Sequence, residues 1–123
     1  MTDTVSFVVH DKIAIWRGRE TVSLERARRL VTAVIENVRK RHIRKLLIDS
    51  TALGGFASPS IAARHQLVRT WAGASGGALQ IAFVLRPEMI DPQRFGVVVA
   101  RNFGTNVNVF AHEADALAWL RSH

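Results

Sequence analysis

The sequence predicts a single α/β domain with a mixed, mostly parallel sheet of about five strands and about four helices. Short apolar runs typical of buried strands alternate along the chain with stretches of helical periodicity. The length of 123 residues, with 48% hydrophobic and 22% charged residues, fits one globular domain over residues 1–123. No linker, internal repeat or low-complexity segment divides the chain, so we expect one hydrophobic core region rather than two domains.

The first third of the chain predicts a hairpin, a long helix and a buried strand. Residues 5–9 and 13–16 are β-rich runs separated by three polar residues, which favours a tight hairpin. Ser23 is the predicted N-cap of a helix that runs to about His42. The continuous apolar run at Lys45–Asp49 predicts a strand buried on both faces. The apolar positions at helical spacing in the helix are Leu24, Ala27, Val31, Val34, Ile35 and Val38.

The remaining elements repeat the strand–helix alternation. Ser58 followed by Pro59 predicts an N-cap and first helical residue for a second helix, which two glycines at 76 and 77 end. Its predicted inward positions include His65. A buried strand at 79–85, a third helix from Asp91, and a closing strand and helix over 106–120 follow. The predicted order is β-β-α-β-α-β-α-β-α.

Three segments give the chain a resemblance to a known family. They are residues 45–49, residues 81–84, and the tail in which Val109-Phe110 precedes an acidic patch and Ala116-Leu117-Ala118-Trp119-Leu120. With the element order, they resemble the STAS domain, the fold of anti-anti-sigma factors of the SpoIIAA type, and most of all the small SpoIIAA-like bacterial proteins. The resemblance implies a non-enzymatic module with a regulatory or ligand- and partner-binding role, and the composition makes a cytoplasmic location the default expectation.

The resemblance also implies a candidate modification site. In phospho-regulated STAS proteins, the loop after the central strand ends in Asp-Ser-Ser-Gly, and a serine at the following helix is phosphorylated. The matching stretch in this chain reads Ala57-Ser58-Pro59-Ser60, so the aspartate is missing and a proline replaces one serine. Ser58 is the candidate phosphorylation site under this resemblance.

The carboxyl ends of the parallel strands are the predicted binding surface, because ligands of open α/β sheets bind beyond those ends. A helix N-terminus beside several arginines would favour a small anionic or lipidic ligand, or a partner protein presenting such a group. The alternative is structural: Ser58 caps its helix and Asp49 ties down the loop. The candidate residues are Arg17, Arg19, Asp49, Ser50, Thr51, Ser58, Ser60 and Arg86.

The net charge of +7 raises a second hypothesis, because basic residues are concentrated near the end of the first helix. Such a cluster predicts a nucleic-acid or anionic-surface patch, although helix C-termini also favour cations and no aromatic residue interleaves for base stacking. The residues of this alternative patch are Arg39, Lys40, Arg41, Arg44 and Lys45.

A small hydrolase is the third hypothesis, with Asp49, Ser58 and His65 as a triad, but no nucleophile elbow or oxyanion loop accompanies them. A histidine at position 65 is also typical of a hydrogen-bonded core residue. No cysteine is present and no histidine has metal-ligand spacing, so neither a metal nor a cofactor is predicted. No apolar run approaches a membrane span, and no signal peptide is evident. Trp119 is predicted to cover a sheet edge or lie in a homodimer interface.

Overall fold

The computed structural model describes residues 6–56, 60–90, 101 and 106–122. Within them it confirms an α/β fold with one mixed sheet of five strands, and it has three α-helices where about four were predicted. The predicted third helix, from Asp91 to Gly104, falls almost entirely outside the described residues. The elements are β1 (Val8–His10), β2 (Ile13–Arg17), α1 (Leu24–Lys40), β3 (Lys45–Asp49), α2 (Ile61–Ser75), β4 (Gln80–Val84), a 3₁₀ helix (Pro87–Met89), β5 (Asn106–Phe110) and α3 (Glu113–Ser122).

The strands follow one another across the sheet in chain order. β1 is antiparallel to β2, as the predicted hairpin requires, and every other neighbouring pair is parallel. Connections between parallel strands are right-handed. Helices that connect successive strands in the same direction across the sheet therefore lie on the same face of the sheet. α1 and α2 accordingly pack against each other on that face, and α3 lies against β3, β4 and β5 on the other.

Each face of the sheet has its own apolar core, because side chains alternate along a strand. The three central residues of β3 are completely buried, which confirms the predicted two-sided burial of this strand. The α1 face contains Ala14, Trp16, Leu46, Ile48, Ile81, Phe83 and Val107. The α3 face contains Ile13, Ile15, Leu47, Ala82 and Val84, covered by Ala116 and Leu120.

α1 begins where the sequence predicted. The Ser23 hydroxyl accepts a hydrogen bond from the Arg26 amide at 3.1 Å, and the helix ends at Lys40. Five of the six predicted inward positions are buried, but Leu24 is only half-buried and Leu30 is buried in addition. Leu24 lies at the first helical position, where fewer neighbouring elements cover it.

α2 begins later than predicted. Its N-cap is Ser60, whose hydroxyl accepts from the Ala63 amide at 3.2 Å and whose carbonyl accepts from the Arg64 amide at 2.9 Å. The prediction of Ser58 as the cap is therefore wrong, and Ser58 itself lies outside the described residues. Gly76 ends the helix in the left-handed conformation, with φ of 58°, as predicted.

The prediction of His65 as an inward residue is also wrong, because its side chain is exposed. α2 lies beside α1, and of its residues whose burial is described, Ala72 and Ser75 near its end are buried. Trp71 stacks on Phe83 at 5.2 Å between ring centroids, which places the carboxyl half of the helix over the sheet.

Trp119 covers the sheet edge. Its ring lies 5.8 Å from that of Phe110 in β5, the last strand of the described sheet, and the side chain is half-buried. Of the two predicted roles, this contact supports the first. No helix among the described ranges is both long and apolar enough to cross a lipid bilayer.

Candidate functional site

The loops that follow β2 and β3 extend the sheet beyond its carboxyl edge. The Gly18 amide donates to the Asp49 carbonyl at 2.9 Å, immediately after the paired strands end. Further on, the Val22 amide donates to the Gly54 carbonyl at 2.7 Å, and the Gly54 amide donates to the Glu20 carbonyl at 3.1 Å. These backbone hydrogen bonds hold the two loops together as one continuous wall.

A cleft of about 230 Å³ lies against this wall on the α1 side. Its apolar part comes from Trp16, Leu30 and Leu53, which are all buried, while the arginines and Glu20 at its margin are exposed. The volume is below the roughly 300–1,000 Å³ of sites for drug-sized molecules, so the cleft suits a smaller ligand. The lining residues are Ser6, Trp16, Arg17, Gly18, Arg19, Glu20, Leu30 and Leu53.

An ion pair joins the end of β2 to the first turn of α3. Arg17 donates to both carboxylate oxygens of Glu113, from Nε to Oε2 at 2.8 Å and from Nη2 to Oε1 at 2.8 Å. Because Trp16 faces α1, the alternation along β2 directs Arg17 towards α3. A carboxylate at the N-terminus of α3 is also favoured by the helix dipole.

Asp49, the last residue of β3, adds a second carboxyl group to this pair. Its Oδ1 accepts from the Thr51 amide at 2.9 Å and from the Thr51 hydroxyl at 2.6 Å, and its carboxyl group lies beside that of Glu113. Burial, followed by the contact with Glu113, raises the pKa of Asp49. Arg17 contributes most to holding the pKa of Glu113 at about 2. Of the two carboxyls, Asp49 is therefore the easier to protonate.

The two shifts have opposite effects on stability. The pKa of Glu113 is depressed from 4.5, so its ionised form stabilises the fold above that value and the contribution is lost as pH falls towards about 2. The pKa of Asp49 is raised from 3.8, so its ionised form costs stability at neutral pH. That cost is removed as pH falls through its folded-state pKa towards the unfolded value.

We expect Asp49→Asn to raise the free energy of unfolding at neutral pH by about 0.5–1 kcal/mol, the range for partly exposed charges. The amide oxygen still accepts from Thr51, while the charge beside Glu113 is gone. The gain should shrink on acidification, because wild-type Asp49 then becomes neutral too. Urea unfolding between about pH 7 and pH 4 measures this. A gain that stays constant with pH, or equals that of the exposed control Glu36→Gln, would contradict the charge explanation.

The structure brings together part of the predicted site. Arg17, Asp49 and Thr51 lie in one cluster, and Ser50 ties β3 to β4 because its amide donates to the Val84 carbonyl at 3.0 Å. Arg19 lies on the cleft margin.

The other predicted residues do not join this cluster. Arg86 follows β4 and contacts its own 3₁₀ turn, with Nε 3.7 Å from Glu88 Oε1 and Nη2 4.0 Å from Met89 Sδ. Ser60 is the N-cap of α2, the role that the structural alternative had given to Ser58. The structure does not describe Ser58, so its phosphorylation stays a prediction.

Three basic residues of the alternative nucleic-acid patch contact other parts of the fold. Arg39 donates from Nη1 to the Ala74 carbonyl at 3.2 Å, near the end of α2. Arg41 lies over the Phe7 ring, 5.1 Å from its centroid, and Lys45 donates to the Leu120 carbonyl near the end of α3. Lys40 and Arg44 are exposed. Three of the five side chains therefore have contacts within the fold, and all but Lys45 are exposed.

The triad of the hydrolase hypothesis gains no support from the described residues. Asp49 is engaged by Thr51 and Glu113, and His65 is on the exposed side of α2. Among the described residues, no group of three or more His, Asp or Glu side chains is arranged to hold a metal ion. Glu113 is the site residue that sequence reasoning missed, and its position at a helix N-terminus was the available signal.

The chain matches no family model, no curated protein and no solved structure. We therefore infer function from the residues and contacts of the carboxyl edge.

Proposed function

We propose that this protein is a non-enzymatic, STAS-like binding module that takes a small amphipathic anion in the cleft at the carboxyl end of β2. The observation that carries the proposal is the lining of the cleft, in which buried Trp16, Leu30 and Leu53 stand next to an arginine margin. A regulatory or carrier role follows from the resemblance in element order, and belongs to the same proposal.

Arg19 is the residue best suited to receive the anionic group. It is exposed, and within the described residues no ion pair engages it, whereas Arg17 is held by Glu113. Glu20 places a negative charge on the same margin. A ligand with one anionic group and an apolar body fits this distribution better than a polyphosphate, which Glu20 would repel.

The apolar residues of the cleft leave little surface exposed, because Trp16, Leu30 and Leu53 are only 7%, 5% and 3% exposed. At about 25 cal/mol per Å² removed from water, covering them contributes only modestly to binding. The larger basic cluster is less suited to a ligand, because Arg39, Arg41 and Lys45 already stabilise other elements. We therefore favour the cleft over a nucleic-acid surface.

Benzenesulfonate, with one aromatic ring and one sulfonate, is a suitable probe. We expect its titration to shift the NMR signals of the Gly18 and Leu53 amides and the Trp16 indole, and Arg19→Gln to weaken binding roughly five- to tenfold. Neutral benzyl alcohol should bind more weakly and be insensitive to that change.

Arg44→Gln provides the matched control, because Arg44 is an exposed arginine just before β3, at the opposite edge of the sheet. Equal weakening by Arg19→Gln and Arg44→Gln would indicate non-specific charge attraction. If the cleft signals do not move at saturating probe, the proposed binding site is wrong.

A further inference from the structure

We propose that two copies of this chain associate through the free edge of β1, so that their sheets join about a twofold axis at Val9. β1 lies at one edge of the sheet, with β2 on one side and no strand of the described sheet on the other. Its three residues, Val8, Val9 and His10, are all exposed. The backbone groups on the outer side of such a strand are able to pair with a further strand.

The hairpin geometry makes Val9 the residue of β1 whose backbone faces outward. His10 pairs with Ile13 across a two-residue turn, in which Asp11 and Lys12 have φ of 54° and 64°. Residues that flank such a turn exchange hydrogen bonds, and the bonded pairs alternate along an antiparallel ladder. The amide and carbonyl of Val9, one residue away from His10, therefore point away from β2.

The side chains of this edge are apolar on both faces of the sheet. Val8 pairs with Ile15 of the α3-face core, and Val9 pairs with Ala14 of the α1-face core. Of the side chains whose burial is described, only these two large apolar ones are exposed, at 58% and 46%. Edge strands that remain in solvent usually carry charged residues, proline or a bulge. β1 has an unbroken register with β2, and its three residues include no proline and no lysine, arginine or acidic residue.

A second copy fits this edge because the edge is complementary to itself. With the axis at Val9, the two Val9 residues lie opposite each other, and each amide can donate to the carbonyl of the other. Val8 then lies opposite His10 of the second copy, so no like charges oppose each other within the paired strands. An axis at Val8 or His10 would instead bring together backbone groups that are already bonded to β2.

Opposite charges also meet beside the paired strands. When the register continues by two residues, Asp11 lies opposite Phe7 of the second copy, and the Arg41 guanidinium lies 5.1 Å from the centroid of that ring. The Asp11 side chain is 68% exposed, and its carboxylate is 3.8 Å from Arg121, which is longer than a hydrogen bond. It is therefore available to Arg41 of the second copy, and the twofold axis produces this pairing twice.

The dimer is expected to be weak, because β1 contributes only three residues to the interface. The net charge of +7 on each copy also opposes association at low salt. At about 0.15 M salt the Debye length is about 8 Å, so repulsion between distant charges is screened while contacts at the edge remain. Under these conditions we expect a dissociation constant of about 0.1–1 mM, in keeping with an interface below about 1,200 Å².

The Val9 amide tests the proposal in the wild-type protein. In the monomer this amide faces solvent, whereas the His10 amide is bonded to β2 in both states. We expect exchange of the Val9 amide, measured by NMR, to slow roughly two- to fivefold between about 20 µM and about 1 mM protein. Exchange of the His10 amide should change much less.

Val9→Lys tests the same contact by substitution. It places two lysines directly opposite each other at the axis, so sedimentation equilibrium should show association at least about tenfold weaker. Gln66→Lys is the matched control, because it adds the same charge at an exposed position of α2 and should leave association unchanged. Circular dichroism of both variants checks that they are folded.

Three results would overturn the proposal. The first is a wild-type chain that stays monomeric up to about 1 mM with a fast-exchanging Val9 amide, which would leave the edge to a different partner. The second is a Val9 amide protected equally at every concentration, which would show that the chain covers its own edge. The third is a dimer that Val9→Lys weakens no more than Gln66→Lys does, which would place the interface elsewhere.

Discussion

Leu120→Ala is expected to lower the free energy of unfolding by about 2–5 kcal/mol, the range for removing a fully buried leucine side chain. Leu120 is completely buried and, with Ala116, covers the apolar residues on the α3 face of the sheet. Its loss leaves a cavity among the apolar residues of the α3 face. The midpoint and slope of urea unfolding, followed by circular dichroism, measure the change.

Leu117→Ala is the matched control for this experiment. Leu117 lies on the same helix but is only half-buried, so its truncation should cost clearly less. Equal losses in the free energy of unfolding for the two variants would contradict the packing of α3 described above. A loss below about 1 kcal/mol for Leu120→Ala would show that the core does not depend on α3.

Gly55→Ala is expected to destabilise the protein by about 1–3 kcal/mol and to abolish probe binding in the cleft. Gly55 has a backbone φ of 100°, a conformation that residues with a side chain rarely adopt. A Cβ at this position would lie 2.6 Å from the Val22 carbonyl oxygen. The loop must move away from Val22 to relieve this contact. That movement breaks the wall formed with Gly54 and displaces Leu53, whose side chain lines the cleft.

Gly54→Ala is an unusually close control, because the two glycines are adjacent. A Cβ on Gly54 meets no atom within 4 Å, so this variant should keep near wild-type stability and benzenesulfonate affinity. Benzenesulfonate titration and urea unfolding of both variants give the comparison. Unchanged binding in Gly55→Ala would show that the wall between the two loops does not shape the site.

Elements whose neighbours lie close in sequence were predicted well. β3 has the predicted bounds because every residue of its centre is apolar, so either face of the strand finds a core. Ser23 was identified as a cap because its hydroxyl bonds an amide three residues away. Such contacts depend only on the spacing of residues along the chain, so they can be predicted from the sequence.

The start of α2 could not be decided in this way. Ser58 and Ser60 both satisfy the local rule for an N-cap, and Pro59 favours the earlier one. The fold uses Ser60. The prediction for His65 was wrong for a related reason. Helical spacing shows which residues of a helix share one face, but it does not show which part of that face is covered by the neighbouring elements. α2 lies against α1, and among its residues whose burial is described, the buried ones lie near its end.

The candidate site likewise has a part that the sequence predicted and a part that it could not predict. The chain by itself determined that the ends of β2 and β3 meet at one edge, because parallel strands share their direction, and this brought Arg17 and Asp49 together. Only the tertiary structure decided that Glu113 joins them, since it lies 96 residues from Arg17 and on a helix that crosses to the opposite face. Local spacing carries no information about which distant carboxylate meets an arginine, because that depends on where the packed faces place the last helix.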